Sequence, residues 1–323
     1  MAGQIWEVLT AVMDWIWDNL YIINVVFAIA IVFFKRKSPK EVWAWLLLMY
    51  SIPIVGFLLY LIVNQDMYKR HMFQIKEIED KLNASIRKLE ERIQKENRKL
   101  LPEELKAYSS LVLYNLDTTG SVYSDDNSVE IYTDGREKFD RLIAEIDRAE
   151  KFIHIEYYII KKDELFEEIS RHLVEKAKQG VEVRILYDSM GCRNMWKKDW
   201  KALNAQGIKT GDFFPAALKW LHVRLNYRNH RKIVVIDNKV GFVGGFNVGR
   251  EYISLDPKFG YWRDTHLVLH GTSVSDLEMR FALDWNYATK ENLFLNGELY
   301  FARHEECALG KKGMQIIASG PDS

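Results

Sequence analysis

The stretch that most constrains this chain runs from His230 to Asn247. It holds an apolar, β-branched run at Ile233-Val234-Val235-Ile236, an Asp237-Asn238 turn, a second short strand and the pair Gly244-Gly245. Polar residues interrupt it at chosen places. On an extended chain residues i and i+2 point to the same face, so His230 and Lys232 project together while Arg231 points away. Gly244 and Gly245 remove side-chain bulk, so that backbone N–H groups and the Asn247 amide can approach a ligand. A phosphate is the natural guest of such a concavity. Any two of these residues alone describe a buried strand with a His and a Lys at its wet end. The whole spacing, His-x-Lys-x4-Asp-x6-Gly-Gly-x-Asn, is far more specific.

At 323 residues the chain has room for a membrane anchor and one domain of ordinary to large size. Its 45 Lys and Arg balance its 45 Asp and Glu, so no field of one sign invites nucleic acid. Cys192 and Cys307 lie far apart, match no metal spacing and read as separate thiols. Residues 1–66 read as a membrane hairpin. Leu20 to Phe34 is apolar except for Asn24, and Trp43 to Val63 carries no charge and is long enough for a span of about 20 helical residues. Acidic residues and Trp6, Trp15, Trp17 and Tyr21 at the start suit a retained anchor with an interfacial belt better than a cleaved leader. The flanking cations, four between the runs and three after them, leave the orientation open.

Residues 67–107 read as a charged amphipathic helical linker, with an apolar stripe from Ile75 to Ile93. The stripe suits a dimer seam, a helix on the bilayer or a cover for the domain that follows. Pro102 stops it, and Asp117 to Ser128 reads as irregular. Over 108–323 strands and helices alternate. The spacing predicts helices at Asp134–Glu150, Asp163–Gln179, Trp196–Gln206 and Ser273–Tyr287, and strands at Lys151–Ile160, Val181–Tyr187, the central pair and Thr265–His270. The expected fold class is α/β, an α-β-α layered domain whose sites gather at strand ends.

The pattern from His230 to Asn247 resembles the repeated catalytic motif of the phospholipase D superfamily. Arg224 to Asn247, Tyr261-Trp262-Arg263-Asp264-Thr265-His266, the segment Phe281 to Tyr287 and the start Pro39-Lys40-Glu41-Val42-Trp43-Ala44-Trp45 are together similar to bacterial cardiolipin synthases of that type. The likeness runs from about residue 20 to the last residue. Members of that family carry the motif twice, and this chain has it once. Its final segment, Ile316 to Ser323, resembles the opening of a second half. The resemblance therefore implies a first catalytic half. Its site would be completed by a missing C-terminal half or by a homodimer with one His230 from each subunit.

The resemblance implies that His230 is a nucleophile forming a phosphohistidine, since neutral imidazole is competent near pH 7. Lys232, Asn247, Gly244 and Gly245 would bind the phosphate and stabilise charge growing on its oxygens. Asp264 would bond the other ring nitrogen of His230. Asp237 belongs to the motif's catalytic set, yet its place past the strand end suits bracing the turn. His154, Glu156, Asp188 and His266 read as satisfied core or rim groups. The segment Phe213 to Leu221 suits either the bilayer or the core. The resemblance implies no cofactor, and no carboxylate cluster argues for a metal. Its implied partners are phosphatidylglycerol and membrane lipid, in a bacterial cell membrane crossed more than once, and no nucleic acid is expected. The implied reaction is phosphatidyl transfer between two phosphatidylglycerol molecules, giving cardiolipin and glycerol. A dimeric single-motif phosphodiesterase or nuclease, and a non-catalytic lipid-binding fragment, are the alternatives.

Overall fold

The structure, a computed structural model, describes residues 107–213, 228–302 and 310–318, together with 39–52 and scattered positions between 6 and 56. The chain divides into two units, Met1–Glu79 and Asp80–Ser323. In the first, α1 spans Pro39–Ser51. Among the described residues no helix is long and apolar enough to cross a membrane. The apolar run 20–34 falls largely outside the described residues, as does the second half of 43–63, and the amphipathic stretch 67–101 and segment 214–221 lie wholly outside them.

The second unit opens with α2 (Ser109–Thr119), β1 (Tyr123–Asp134), α3 (Gly135–Arg148), β2 (Phe152–Tyr157) and α4 (Glu164–Lys178). It continues through β3 (Glu182–Asp188), α5 (Lys197–Asn204), β4 (Ile208–Phe213), β5 (Lys232–Ile236), β6 (Val240–Gly244), β7 (Arg263–His270), α6 (Ser273–Thr289), α7 (Gly297–Tyr300) and β8 (Lys312–Gln315). The predicted helices form because their ends carry caps. Asp134 accepts from the N–H groups of Arg136 and Glu137, and Asp163 from that of Phe166, each satisfying donors that a helix start leaves free. One segment differs from expectation: the stretch from Asp117 to Ser128 is the end of a helix and then part of a twelve-residue strand. Residues 208–213, for which the spacing predicts no element, also form a strand. Both gain sheet partners distant in sequence, which outweigh their weak strand propensity.

The eight strands make one mixed sheet in the order β4-β3-β2-β5-β6-β7-β1-β8. The pairs β4-β3 and β3-β2 are parallel, and all other neighbours are antiparallel. One face packs Ile153, Ile155, Val183, Ile185, Val234 and Phe242 against Phe139, Leu142 and Ile146 of α3, Leu165 and Ile169 of α4, and Trp200 of α5. Each such buried side chain contributes roughly 1.5–3 kcal/mol. The other face is polar where it meets α6. There His154 bonds Glu278 at 2.8 Å and stacks on Phe281, so this buried imidazole is satisfied as expected. The result is the α-β-α layering anticipated for residues 108–323.

Candidate active site

The start of β5, the ends of β2, β3 and β6 and the start of β7 lie on one edge of the sheet, because β5 and β7 run antiparallel to their neighbours. His230 sits on this edge, two residues before β5, and is exposed. Both of its chain neighbours are anchored below it. Asn229 Nδ2 donates to Glu156 Oε1, the Asn229 N–H faces Asp188, and Arg231 Nη1 donates to Asp284 at 3.0 Å. Arg231 thus points to the α6 face while His230 and Lys232 turn the other way, as strand alternation requires.

Glu156, on β2, and Asp284, on α6, form a buried carboxylate pair. Burial is the larger cause and the Asp284 charge the next in pushing Glu156 well above the usual carboxylate range, against Arg231 and Arg280. Glu156 Oε2 faces no donor among the described residues, which fits a protonated Glu156 sharing its hydrogen with Asp284. From its place in the chain alone Glu156 is a core or rim group. Its link to Asn229 makes it part of the platform under His230.

The His230 imidazole lies on the ring of Tyr158, 3.8 Å between centroids, and the Lys232 ammonium stands 5.5 Å from the same ring centre. Covering one ring face desolvates the imidazole. That is the larger cause of its lowered pKa; Lys232 lowers it further, and Asp188 opposes both. His230 is therefore neutral over more of the acid range than a free imidazole, as a nucleophile needs. Burial also lowers the Lys232 pKa, against the opposing charge of Asp264.

Lys232 pairs with Tyr157 on β2, and the register of β5 with β6 places it beside Gly244, which pairs with His266 on β7. Behind this row Lys138 of α3, fully buried, donates to the Tyr157 hydroxyl at 2.6 Å. Burial drives its pKa well down. His266 departs from the expectation of a satisfied group, since it is fully buried and neither ring nitrogen has a hydrogen-bond partner among the described residues. It fits there because Gly244 is bare. A Cβ on Gly244 would come within 2.6 Å of His266 Nδ1, and one on Gly245 within 1.9 Å of Asp264 Oδ1.

The structure gives several anticipated residues other partners. The glycine pair admits β7 side chains, and the Gly245 N–H is already donated to the Thr265 carbonyl. Asn247 is buried, accepting from the Ile159 N–H at 3.1 Å and donating to the Tyr252 hydroxyl at 3.0 Å. It fastens the loop after β6 to the loop after β2, an attachment repeated by the backbone bonds of Val248 with Ile159 and Lys161. The Asp264 carboxylate accepts from the Thr265 N–H at 2.7 Å, and no hydrogen bond joins it to His230. Its charge is felt at Lys232 instead.

Asp237 lies apart from this edge. It stands seven residues beyond His230 at the far end of β5, about 20 Å away along a strand rising about 3.3 Å per residue. Buried and at φ 54°, it accepts from the N–H groups of Glu150, Lys151 and Phe152 at 2.7, 2.8 and 2.8 Å. It locks the β5–β6 turn to the start of β2. The expectation that Asp237 braces a turn thus agrees with its position.

Residues 142–284 match the family model described as cardiolipin synthase, PLD-like domain, and residues 22–63 match one described as Phospholipase_D-nuclease N-terminal. The major cardiolipin synthase of Bacillus subtilis is 42% identical over 310 residues, which are 94% of this chain and 63% of that protein. A cardiolipin synthase of Staphylococcus aureus is 41% identical over 313 residues, 96% of this chain and 63% of that one. The chain therefore spans less than two thirds of the length of these relatives. Among solved structures, NucT from Helicobacter pylori aligns at 19% identity and a TM-score of 0.37, covering 49% of this chain and 93% of NucT.

Proposed function

We propose, for a chain related to the bacterial cardiolipin synthases and matching their phospholipase D-like domain over residues 142–284, that it supplies the nucleophilic half of a phosphatidyl-transfer site. A ring nitrogen of His230 attacks the phosphorus of phosphatidylglycerol, the bond to the glycerol oxygen breaks, and the phosphatidyl group stays on the imidazole. Lys232 neutralises the non-bridging oxygens as their charge grows. The departing glycerol oxygen takes a proton from an acid facing His230 across the open edge. The hydroxyl of a second phosphatidylglycerol then returns its proton to that group, attacks the phosphohistidine and releases cardiolipin. The facing acid would come from a second copy of this chain or from a second motif of a longer one. Water in place of the second lipid would give phosphatidic acid.

One observation carries this reading: a neutral imidazole and an ammonium share the ring of Tyr158 at an open sheet edge, with the imidazole's neighbours anchored beneath it. Phosphate binding by Asn247, Gly244 and Gly245 would be indirect, through the shape they give the loop, and Asp264 would balance the charge of Lys232. The match of residues 22–63 supports anchoring of this site in the bacterial cell membrane by the apolar runs 20–34 and 43–63. The test is incubation of the detergent-solubilised chain with labelled phosphatidylglycerol, beside His230→Ala. The expected result is a protein-bound phosphatidyl adduct, with or without cardiolipin, that His230→Ala abolishes. A folded chain forming neither adduct nor product defeats the reading.

A further inference from the structure

Leu255, Phe259 and Tyr261, between the short 3-10 turn Arg250–Ile253 and β7, are 56%, 46% and 68% exposed. The loop that carries them is not loose. The N–H groups of Phe259 and Gly260 both donate to the Asp256 carbonyl, that of Leu255 to Arg250, that of Lys258 to the Asp256 side chain and that of Trp262 to Ser254 Oγ. Ser254 and Gly260 take the positive φ values that the two bends need. A segment so fixed holds its apolar side chains out in water instead of folding them in, as surfaces that take an occupant do.

The charge around them selects its chemistry. Asp256, the acid of the loop, is offset by Arg250 at 3.6 Å, while Lys258 and Arg263 are exposed and Lys258 lies against the Phe259 ring. The patch is thus aromatic at its tip and cationic beside it. Its size fits a lipid surface better than a protein. At these exposures, and with about 150–250 Å² per aromatic side chain, the three residues offer roughly 300 Å². A stable protein interface takes about 800 Å² from each partner. The loop also leads to the site, because Phe259 packs on Trp262 and Trp262 on Tyr252, whose hydroxyl receives the Asn247 amide.

We propose that the loop 254–262 enters the interface of an anionic phospholipid bilayer beside the His230 edge, with Phe259 and Tyr261 at headgroup depth and Lys258 and Arg263 on the lipid phosphates. The choice of occupant rests on the phospholipid reading above. Insertion itself requires no turnover.

The test uses the full chain in phosphatidylglycerol vesicles, with Cys307→Ser, Cys192 being buried, and an environment-sensitive probe on Phe259→Cys. The control probe is on Lys178→Cys, at the far end of α4. The start of α4 is tied to Arg250 through Asp163, and its 15 residues carry the control about 20 Å away. A nitroxide-labelled lipid should quench the probe at 259 by roughly half and leave the probe at 178 nearly unaffected, as insertion of about 5–10 Å requires. Tyr261→Cys should repeat the result if Phe259→Cys folds poorly. The same quenching is expected with His230→Ala, which separates it from failure of catalysis. No quenching at 259 and 261, equal quenching at 178, or shielding of 259 in detergent by a second copy of the chain would each overturn the proposal.

Discussion

The ring of Tyr158 lies nearly parallel to the imidazole of His230, with 3.8 Å between centroids and 19° between planes. Since no hydrogen bond holds the imidazole among the described residues, this stack fixes its orientation. A ring pair of this kind contributes about 0.5–1.5 kcal/mol, so Tyr158→Ala should slow adduct formation by about three- to tenfold. Tyr158→Phe should stay within about twofold, because it keeps the ring. Single-turnover rates check both, and an alanine variant as fast as the parent would remove Tyr158 from the positioning of His230.

The titration of His230 should be displaced toward acid. Partial burial and the Lys232 charge both disfavour its proton, so its midpoint should fall below the usual imidazole value of about 6.5. Lys232→Met should move the midpoint up, and Asp188→Asn should move it down, because Asp188 alone among the causes favours the proton. An NMR titration of labelled histidine reads all three without turnover. A midpoint indifferent to both changes would contradict this electrostatic account.

Gly245 and Asp264 should behave as one unit. A methyl group at Gly245 would occupy the place of the Asp264 carboxylate, so Gly245→Ala should destabilise the domain by about 1–3 kcal/mol and displace the charge beside Lys232. Adding Asp264→Ala removes the collision. Denaturant titrations of the double variant should therefore show a smaller loss than the sum of the single changes. Strict additivity would mean that the two residues do not meet.

Glu156 offers a distinction between shape and charge. Burial and Asp284 keep its carboxyl protonated well above the usual range, so the neutral Glu156→Gln should retain the bond to Asn229 and nearly full stability. Glu156→Ala leaves Asn229 without its partner and should cost about 1–3 kcal/mol. It should also slow adduct formation in the fraction that remains folded. A glutamine variant as damaged as the alanine one would show that the ionised form matters.

Asp237→Ala should separate stability from chemistry. Three backbone donors would lose an acceptor, a loss of about 4–5 kcal/mol if each bond to the charged group counts near the low end of its range. Per folded molecule, the rate of adduct formation should remain within about threefold. A loss of rate without a loss of stability would return Asp237 to the reaction.

Much of this was legible beforehand where local signals and tertiary structure agree. Asp134 and Asp163 announced helix starts, and Gly180 and Gly207, at φ 91° and 90°, marked helix ends. The alternation that sends His230 and Lys232 one way and Arg231 the other is a property of any strand. What stayed hidden depends on partners far away in the chain. β1 is full of Asp, Ser and Asn and reads as a loop until β7 and β8 flank it. Lys138 looks like any charged helix residue until α3 turns it toward Tyr157. The spacing of the glycine pair cannot reveal that Asp264 and His266 come up against it.

The order of strands also sets a timetable for synthesis. β1 is made first but lies between β7 and β8, pairing Ser128 with His270 and Tyr123 with Gln315. A ribosome adding about 5–20 residues per second needs on the order of ten seconds to cover that gap, during which β1 has no neighbour. Lone strands attract other chains unless charge repels them. The acids of β1, Asp125, Asp126, Glu130 and Asp134, which make it a poor strand on paper, are the kind of charge that discourages such pairing.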